Sequence, residues 1–407
     1  SGTGVTHYHA QQFPPEYRDV FFIGDWLQRE ILLFRPRWDG ALMVAEPGSP
    51  SVFAHAGGGR TLPARDGRVC DPTEVEVGPD GALYVLSWGH GYGGEVKNGR
   101  QTDLGRVYRI RYAGNPLQRM APTKRAIPIH QWPLEQLWDD LGSHIAAWRV
   151  NAQRELLRRG APSADFLAGR LAKPETLTKA QQTWAIWTLA QLGNIDSLLT
   201  MKGSLNAQIQ TIRAASHREP PNERGRQNSP LNRHLVALLK SDEPRLRHEA
   251  VQAIRQARLF ELSPLVLSHL DTETDRVAFF AAWNAVRELT SLDERRRLLS
   301  ESRDSVRLGL LLGLLADDAV SADLVAPLRD DEDPRVAAVA EKWLIKTGAA
   351  RPLVELSPPA GEYGGGATVS MSTSLPGHRM TYTTDGSIPT GTSPQYKAPL
   401  RLDRTTT

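Results

Sequence analysis

Val75-Glu-Val-Gly-Pro-Asp-Gly-Ala-Leu-Tyr-Val-Leu-Ser-Trp-Gly89 reads as two short strands on either side of a tight turn. Pro79 and Gly81 fall at the second and fourth positions of a type I turn, and Asp80 supplies a local side-chain acceptor. The Gly-rich loop Gly89-His-Gly-Tyr-Gly-Gly94 follows, and Leu104-Gly-Arg-Val-Tyr-Arg-Ile-Arg-Tyr112 closes the stretch with a third strand-like run. It is the one part of the sequence that suggests a chemistry.

Working outward, Val20-Phe-Phe-Ile-Gly24, Glu30-Ile-Leu-Leu-Phe34, Glu74-Val-Glu-Val77, Ala82-Leu-Tyr-Val-Leu86 and Arg106-Val-Tyr-Arg-Ile110 are short β-branched or aromatic runs bounded by Gly, Pro or Asp. Such runs predict antiparallel strands, so residues 1–115 form an all-β unit. Pro116, Pro122, Pro128 and Pro133 then mark 116–136 as an extended linker.

From 137 to 348 the period changes to that of helices. Segments 147–157, 183–192, 247–254, 276–289, 305–315 and 335–344 carry apolar stripes at three- and four-residue spacing, each reading as the second helix of a hairpin. Asp242, Asp275, Asp304 and Asp333 precede four of them and are expected to cap their N-termini. Asp-Pro-Arg-Val at 333–336 and Glu-Pro-Arg-Leu at 243–246 resemble the inter-helix turn of HEAT repeats, which implies about six units in a right-handed solenoid. Ser216 to Pro230 is expected to interrupt it as a long exposed loop.

The totals bound the class. A chain of 407 residues, 40% hydrophobic and 23% charged, is long for one core and predicts two or three folded units. The net charge of +3 is a small difference between 49 basic and 46 acidic residues, which gives no argument for a nucleic-acid partner. Cys70 is the only cysteine, so these residues hold neither an intrachain disulfide nor a Cys-x-x-Cys-His haem attachment. The first residue is Ser1, with no leader-like segment after it, so the sequence reads as an internal piece of a longer protein. The longest apolar run, Leu308 to Ala316, is far short of the roughly 20 residues that cross a bilayer and reads as a buried helix.

Two resemblances follow. Phe13-Pro-Pro-Glu-Tyr-Arg-Asp-Val-Phe-Phe-Ile-Gly-Asp-Trp26, Gly78-Pro-Asp-Gly-Ala-Leu-Tyr-Val85 and Gly105-Arg-Val-Tyr-Arg-Ile110 resemble the closing blades of glucose/sorbosone dehydrogenase β-propellers. The likeness is greatest to the large membrane-bound dehydrogenases of planctomycetes, where propeller, HEAT repeats and a haem-binding region share one chain. Tyr382-Thr-Thr-Asp-Gly-Ser-Ile-Pro-Thr390, with Ser393-Pro-Gln-Tyr396 and Pro399-Leu400 after it, resembles the small β-sandwich ending chitobiase-type and fucosidase-type enzymes.

The expected architecture is multidomain and truncated at both ends. Terminal propeller blades occupy 1–115, the linker 116–136, a HEAT-like α-solenoid 137–348 and an incomplete Ig-like sandwich 352–407. Two blades alone would leave unpaired strand edges and favour aggregation or trimming.

The first resemblance implies pyrroloquinoline quinone, calcium and c-type haem for a full-length sugar or alcohol dehydrogenase outside the cytoplasm. It places the histidine base in an earlier blade, so no catalytic residue is assigned. Trp88, His90 and Tyr92, in or beside the Gly-rich loop, and Arg100 and Arg106, which flank it, are candidates to meet the cofactor. The plainer reading is a loop packed on a neighbouring blade and solvated strand ends.

His7 and His9 share a face of an extended segment but lack a third ligand, so no metal site is assigned. Trp184, Trp187, Trp283 and Trp343 read as core. The arginines between Arg213 and Arg258 read as a solvated solenoid face diluted by Glu219, Glu223, Asp242, Glu243 and Glu249. Asp385-Gly386 reads as a hairpin turn, and Tyr382 and Tyr396 are possible sugar contacts. The implied partners are a sugar or polysaccharide and a protein docked on the solenoid. The alternative is a non-catalytic propeller and solenoid scaffold.

Overall fold

The computed structural model describes residues 2–55, 71–88, 96–97, 100–101, 105–114, 127–201, 203–218, 229–349, 354–373, 379–390 and 392–406. The chain forms two compact units, Ser1–Arg297 and Leu298–Thr407.

The first unit begins with β1 (Gly2–Tyr8), β2 (Val20–Asp25) and β3 (Glu30–Phe34), then a separate hairpin of β4 (Pro36–Asp39) and β5 (Leu42–Ala45), then β6 (Ser51–His55). The four longer strands make an antiparallel sheet in the order β1-β2-β3-β6. After it come β7 (Pro72–Val77), β8 (Leu83–Ser87), the short pair β9 (Val96–Lys97) and β10 (Arg100–Gln101), and β11 (Arg106–Ile110). A second sheet has the order β11-β8-β7. β3 and β11 match the sequence-predicted spans, whereas β1, the β4–β5 hairpin and β6 carry weaker alternation and escape sequence reading.

Period-two burial explains why the sheets share one core. Val20, Phe22 and Gly24 point inward from β2, and Ile31 and Leu33 do so from β3. They meet Val75, Leu83 and Val85 from the other sheet, with Phe53 set edge-on to Phe22 at 4.6 Å between centroids. The predicted turn is present: Gly81 N–H donates to Gly78 O at 2.9 Å, and Gly81 sits at φ +78°. Its carbonyl accepts from the buried Tyr8 hydroxyl of β1 at 2.9 Å, which ties the two sheets at that point. Burial pushes that phenol up to about 12, so it remains a donor throughout the physiological range. The two sheets stand in place of the expected terminal blades, and no closed ring forms among the described residues.

The helical part starts earlier than predicted, at α1 (Leu134–Leu141). Just before it Trp132 is buried and its indole N–H donates to Ile127 O at 2.9 Å, so the last residues of the expected linker belong to the core. Then come α2 (Ala146–Arg159), α3 (Ala161–Leu171), α4 (Lys179–Gln191), α5 (Ile195–Leu199), α6 (Leu205–Arg218), α7 (Pro230–Leu238), α8 (Pro244–Gln256), α9 (Ser263–His269) and α10 (Arg276–Leu289). Consecutive helices pair as hairpins, and the second helices stack in the order α2, α4, α6, α8, α10. The expected loop from Ser216 starts later, because α6 runs to Arg218 with Ser216 buried; residues 219–228 lie outside the described residues.

Packing refines two expectations. Trp184 and Trp187 are partly buried and pack against the apolar cluster of the first helices, Trp283 and Trp343 are partly buried, and Trp132 and Trp138 are the buried indoles. α10, which packs on α8, buries the small side chains Ala278, Ala281, Ala282 and Ala285, and these let the two helices approach closely. Of the four aspartates, Asp275 and Asp333 cap their helices, with Asp275 Oδ1 accepting from Val277 and Ala278 N–H at 2.9 Å each. At α8 the cap is Glu243, because Pro244 opens that helix two residues after Asp242. Asp304 lies inside its helix.

The β-sheets are fastened to the helices directly. Gly40, at φ +58°, forms the tip of the β4–β5 hairpin, and Ala41 N–H donates to Asp275 Oδ2 at 3.0 Å. Arg245 lies 3.7 Å from the centroid of Trp38 in the same hairpin. Lys179 Nζ is 3.2 Å from Asp19 Oδ2.

In the second unit α11 (Leu292–Glu301) enters from the first, followed by α12 (Asp304–Ala316), α13 (Ala322–Val325) and α14 (Pro334–Lys346). α12 buries Leu308, Leu310, Leu311 and Leu314, as its apolar run requires. No described helix is long and apolar enough to cross a membrane. Arg307 bridges to Asp331 at 2.6 Å. The unit ends in β12 (Val354–Ser357), β13 (Ala367–Thr373) and β14 (Leu400–Leu402), an antiparallel sheet in the order β12-β13-β14.

A Cβ at position 40 would lie 2.0 Å from Asp275 Oδ2 and would hold an alanine at positive φ. Gly40→Ala should therefore destabilise the first unit by about 1–2 kcal/mol from backbone conformation alone. Asp275→Ala, which removes a helix cap and the hairpin's acceptor, should cost about 2 kcal/mol. Urea denaturation of both variants checks this; wild-type midpoints would show that the hairpin tip is not seated on Asp275.

Candidate functional site

The sequence-predicted cofactor residues are not gathered into a pocket among the described residues. His90 and Tyr92 lie outside them, as does the side chain of Arg100, whose backbone belongs to β10. Trp88 follows β8, with its N–H donating to Asp71 O at 3.1 Å and its side chain 57% exposed. Arg106 opens β11 opposite Ser87 and is also exposed.

His7 and His9 stack with centroids 5.9 Å apart. His7 Nε2 lies 3.7 Å from Asp19, and His9 Nε2 faces the guanidinium of Arg149, so the pair is engaged with side chains of the protein. No group of three His, Cys, Asp or Glu that would hold a metal occurs among the described residues.

A groove of about 340 Å³ does form, between α6 and α8. Arg213 and His217 line it from α6, and His248, Glu249, Gln252 and Arg255 from α8. The helical period explains the gathering, since 213 and 217 share one face, as do 248, 252 and 255. Arg213 Nε donates to Glu249 Oε2 at 2.9 Å, with a second bond from Nη2 to Oε1. Arg255 reaches Gln252 Oε1 at 3.0 Å and Glu288 Oε1 of α10 at 2.7 Å. His217 packs by Trp187, whose indole N–H donates to Gln210 Oε1 at 2.8 Å.

Burial alone would raise the Glu249 carboxyl; the Arg213 fork and His248 outweigh it and hold it at about 2. The groove thus presents a fixed carboxylate among two guanidiniums and two imidazoles, a surface of planar hydrogen-bonding groups suited to polar partner chains. The sequence reading of these arginines as a solvated face missed that they work across repeats. The legible signal is spacing: Arg213 and Glu249 are 36 apart and Arg255 and Glu288 are 33 apart, close to one helical repeat.

At the C-terminal end, Tyr382 N–H donates to Pro394 O at 3.0 Å and Tyr396 N–H to Met380 O at 2.9 Å. The chain near 380–382 thus pairs with that near 394–396, and the hairpin turn expected at Asp385-Gly386 does not itself join the paired segments. Gly386 does take positive φ, +79°, and Asp385 Oδ1 accepts from Ser387 N–H at 3.0 Å, which shapes a local turn inside the loop. The Tyr396 hydroxyl accepts from Met371 N–H of β13 at 3.0 Å, so this tyrosine braces the sheet.

Residues 358–407 match the family described as Chitobiase/beta-hexosaminidase C-terminal domain. The similarity covers that segment alone. No curated protein matches the chain.

Because Glu249 titrates well below the ordinary carboxylate range, its contribution to stability is fully present above about pH 4.5 and is lost as pH falls toward about 2. Glu249→Gln should flatten the loss of stability in that window. Acid denaturation followed by circular dichroism measures it; a variant curve parallel to wild type would remove Glu249 from the acid response.

Proposed function

We propose that this chain is part of an extracytoplasmic, quinone-dependent dehydrogenase of sugars or alcohols. The helical array serves as a HEAT-like docking scaffold for a protein partner, and the C-terminal sandwich as a carbohydrate-facing accessory. The observation that supports this is the order of the parts: two face-packed antiparallel sheets carrying the propeller phrases, then stacked helical hairpins, then a segment similar to the C-terminal domain of chitobiase and β-hexosaminidase.

In this reading the described residues of the sheets close and support a catalytic domain without supplying its base. The open surface at Trp88 and Arg106 fits that division, and the proton-accepting histidine and the quinone's cationic cradle belong to other blades. The α6–α8 groove, polar and walled by fixed ion pairs, is the docking element.

A second reading, a scaffold without catalysis, is favoured by one observation. The tip of the β4–β5 hairpin and Asp19, just before β2, spend polar groups on fastening the sheets to the helices, as in a load-carrying connector.

The full reading frame, loaded with pyrroloquinoline quinone and calcium, should reduce a dye acceptor with at least one aldose or alcohol, and the 407-residue chain alone should not. Failure of the loaded full-length protein to bind the quinone would exclude the dehydrogenase reading. Depletion of the 407-residue chain by insoluble chitin or cellulose independently tests the carbohydrate-facing module.

A further inference from the structure

We infer that the seat of the β-sheets on the helices is a pH-sensitive latch, closed while the imidazole of His9 is neutral. The observation that carries this is a buried arginine without a carboxylate. Arg149, in the first turns of α2, is 6% exposed, and among the described residues no acidic side chain pairs with it. Its Nη1 donates to Ser143 O at 2.5 Å, its guanidinium lies 5.7 Å from the centroid of Trp184, and its Nε is buried without a partner. The remaining arm, Nη2, donates to His9 Nε2 at the end of β1.

That bond fixes the protonation state. An arginine has no lone pair to give, so His9 Nε2 must accept, which puts any ring proton on Nδ1. Nδ1 lies 3.3 Å from His7 O, the acceptor that this tautomer needs. A proton added to Nε2 would abolish the bond and set two cations in contact inside the junction.

The surroundings make such a proton unwelcome from every side. β1 contributes His7, stacked on His9, and the α1–α2 connection contributes His144. Lys179 comes from α4. The N-terminus of α2 adds the positive end of its dipole, with Ile145 as an N-cap that offers no side-chain acceptor and no acidic residue in the first turn. Asp19 is the one anion in the group; it is largely exposed and already shared between His7 and Lys179.

Burial lowers His9, His7 and His144, and Arg149 adds to the lowering at each of them. The undocked state therefore binds more protons than the docked one. Docking is at full strength above the ordinary histidine value of about 6.5 and weakens as pH falls below it.

Hydrogen exchange of the 407-residue chain between pH 8 and 5.5, corrected for intrinsic rates, tests the latch. Peptides covering β1 and the start of α2 should lose protection together toward pH 5.5, by roughly tenfold for each pKa unit by which docking displaces the histidines, while peptides from α7 to α9 keep theirs. His9→Gln, whose carbonyl accepts from Arg149 and does not titrate, should hold those peptides protected across the range. His217→Gln, in the α6–α8 groove, should respond as wild type does. Uniform loss across the chain, no loss at β1, or an unchanged response in His9→Gln would each overturn the proposal, and the regional pattern in the wild type decides it even if a variant folds poorly.

Discussion

The carboxylate of Asp275 is shared between two elements that have no other reason to meet. One oxygen satisfies the first free N–H groups of α10, and the other takes the Ala41 N–H at the hairpin tip. Either task alone is ordinary; a cap needs one oxygen and a turn tip is usually left to water. Joined in one residue, they make the start of a helix the docking point of a β-hairpin. The hairpin must approach so closely that position 40 has no room for a side chain.

Behind Asp275 lies a chain of polar contacts that holds it in place. Its own N–H donates to Glu273 Oε1 at 2.8 Å, and Glu273 takes both arms of Arg247, at 2.7 and 2.8 Å. Arg247 also reaches Ser241 O at 2.8 Å, so the turn before α8 and the turn before α10 are fastened to one guanidinium. His269 Nε2 sits 2.9 Å from the other side of the carboxylate, off the line of a hydrogen bond. Burial would raise Glu273, but Arg247 and the surrounding donors keep it charged, at about 2. A buried pair of this kind adds little over an apolar replacement, yet losing one partner is costly, so its effect is to fix register between repeats.

Much of this was legible in the sequence where local pattern and tertiary role coincide. β3, β11 and α10 were readable to the residue because alternation or a single apolar stripe coincides with burial. The 78–81 turn was readable from Pro79 and Gly81. What escaped was what depends on a distant partner. The β4–β5 hairpin is two four-residue strands, too short to show an alternation, and its seat on the helices comes from Asp275 and Arg245. Trp132 looked like linker because the apolar cluster that buries it is assembled from later helices, with residues as far away as Leu167 and Ile186. The pairing of His9 with Arg149 spans 140 residues and has no local signature at all. The site residues in the Gly-rich loop gave a chemistry by composition but no geometry.

The distribution of charge bears on what the array is for. In the first unit, the described arginines with the firmest contacts, Arg213, Arg247 and Arg255, point along the stack to the next repeat's carboxylate, a use of charge that sets the spacing of the repeats. Arg149 is the exception: it points across the stack to the β-sheets and meets an imidazole where the others meet a carboxylate. An array held by Arg213–Glu249 and Arg247–Glu273, whose carboxylates are pulled down to about 2, keeps those pairs charged far into the acid range. Its junction with the sheets, built on a neutral imidazole, responds near pH 6.5. The same helices thus carry two kinds of fastening, and the weaker one sits where one part of the protein would need to move against another.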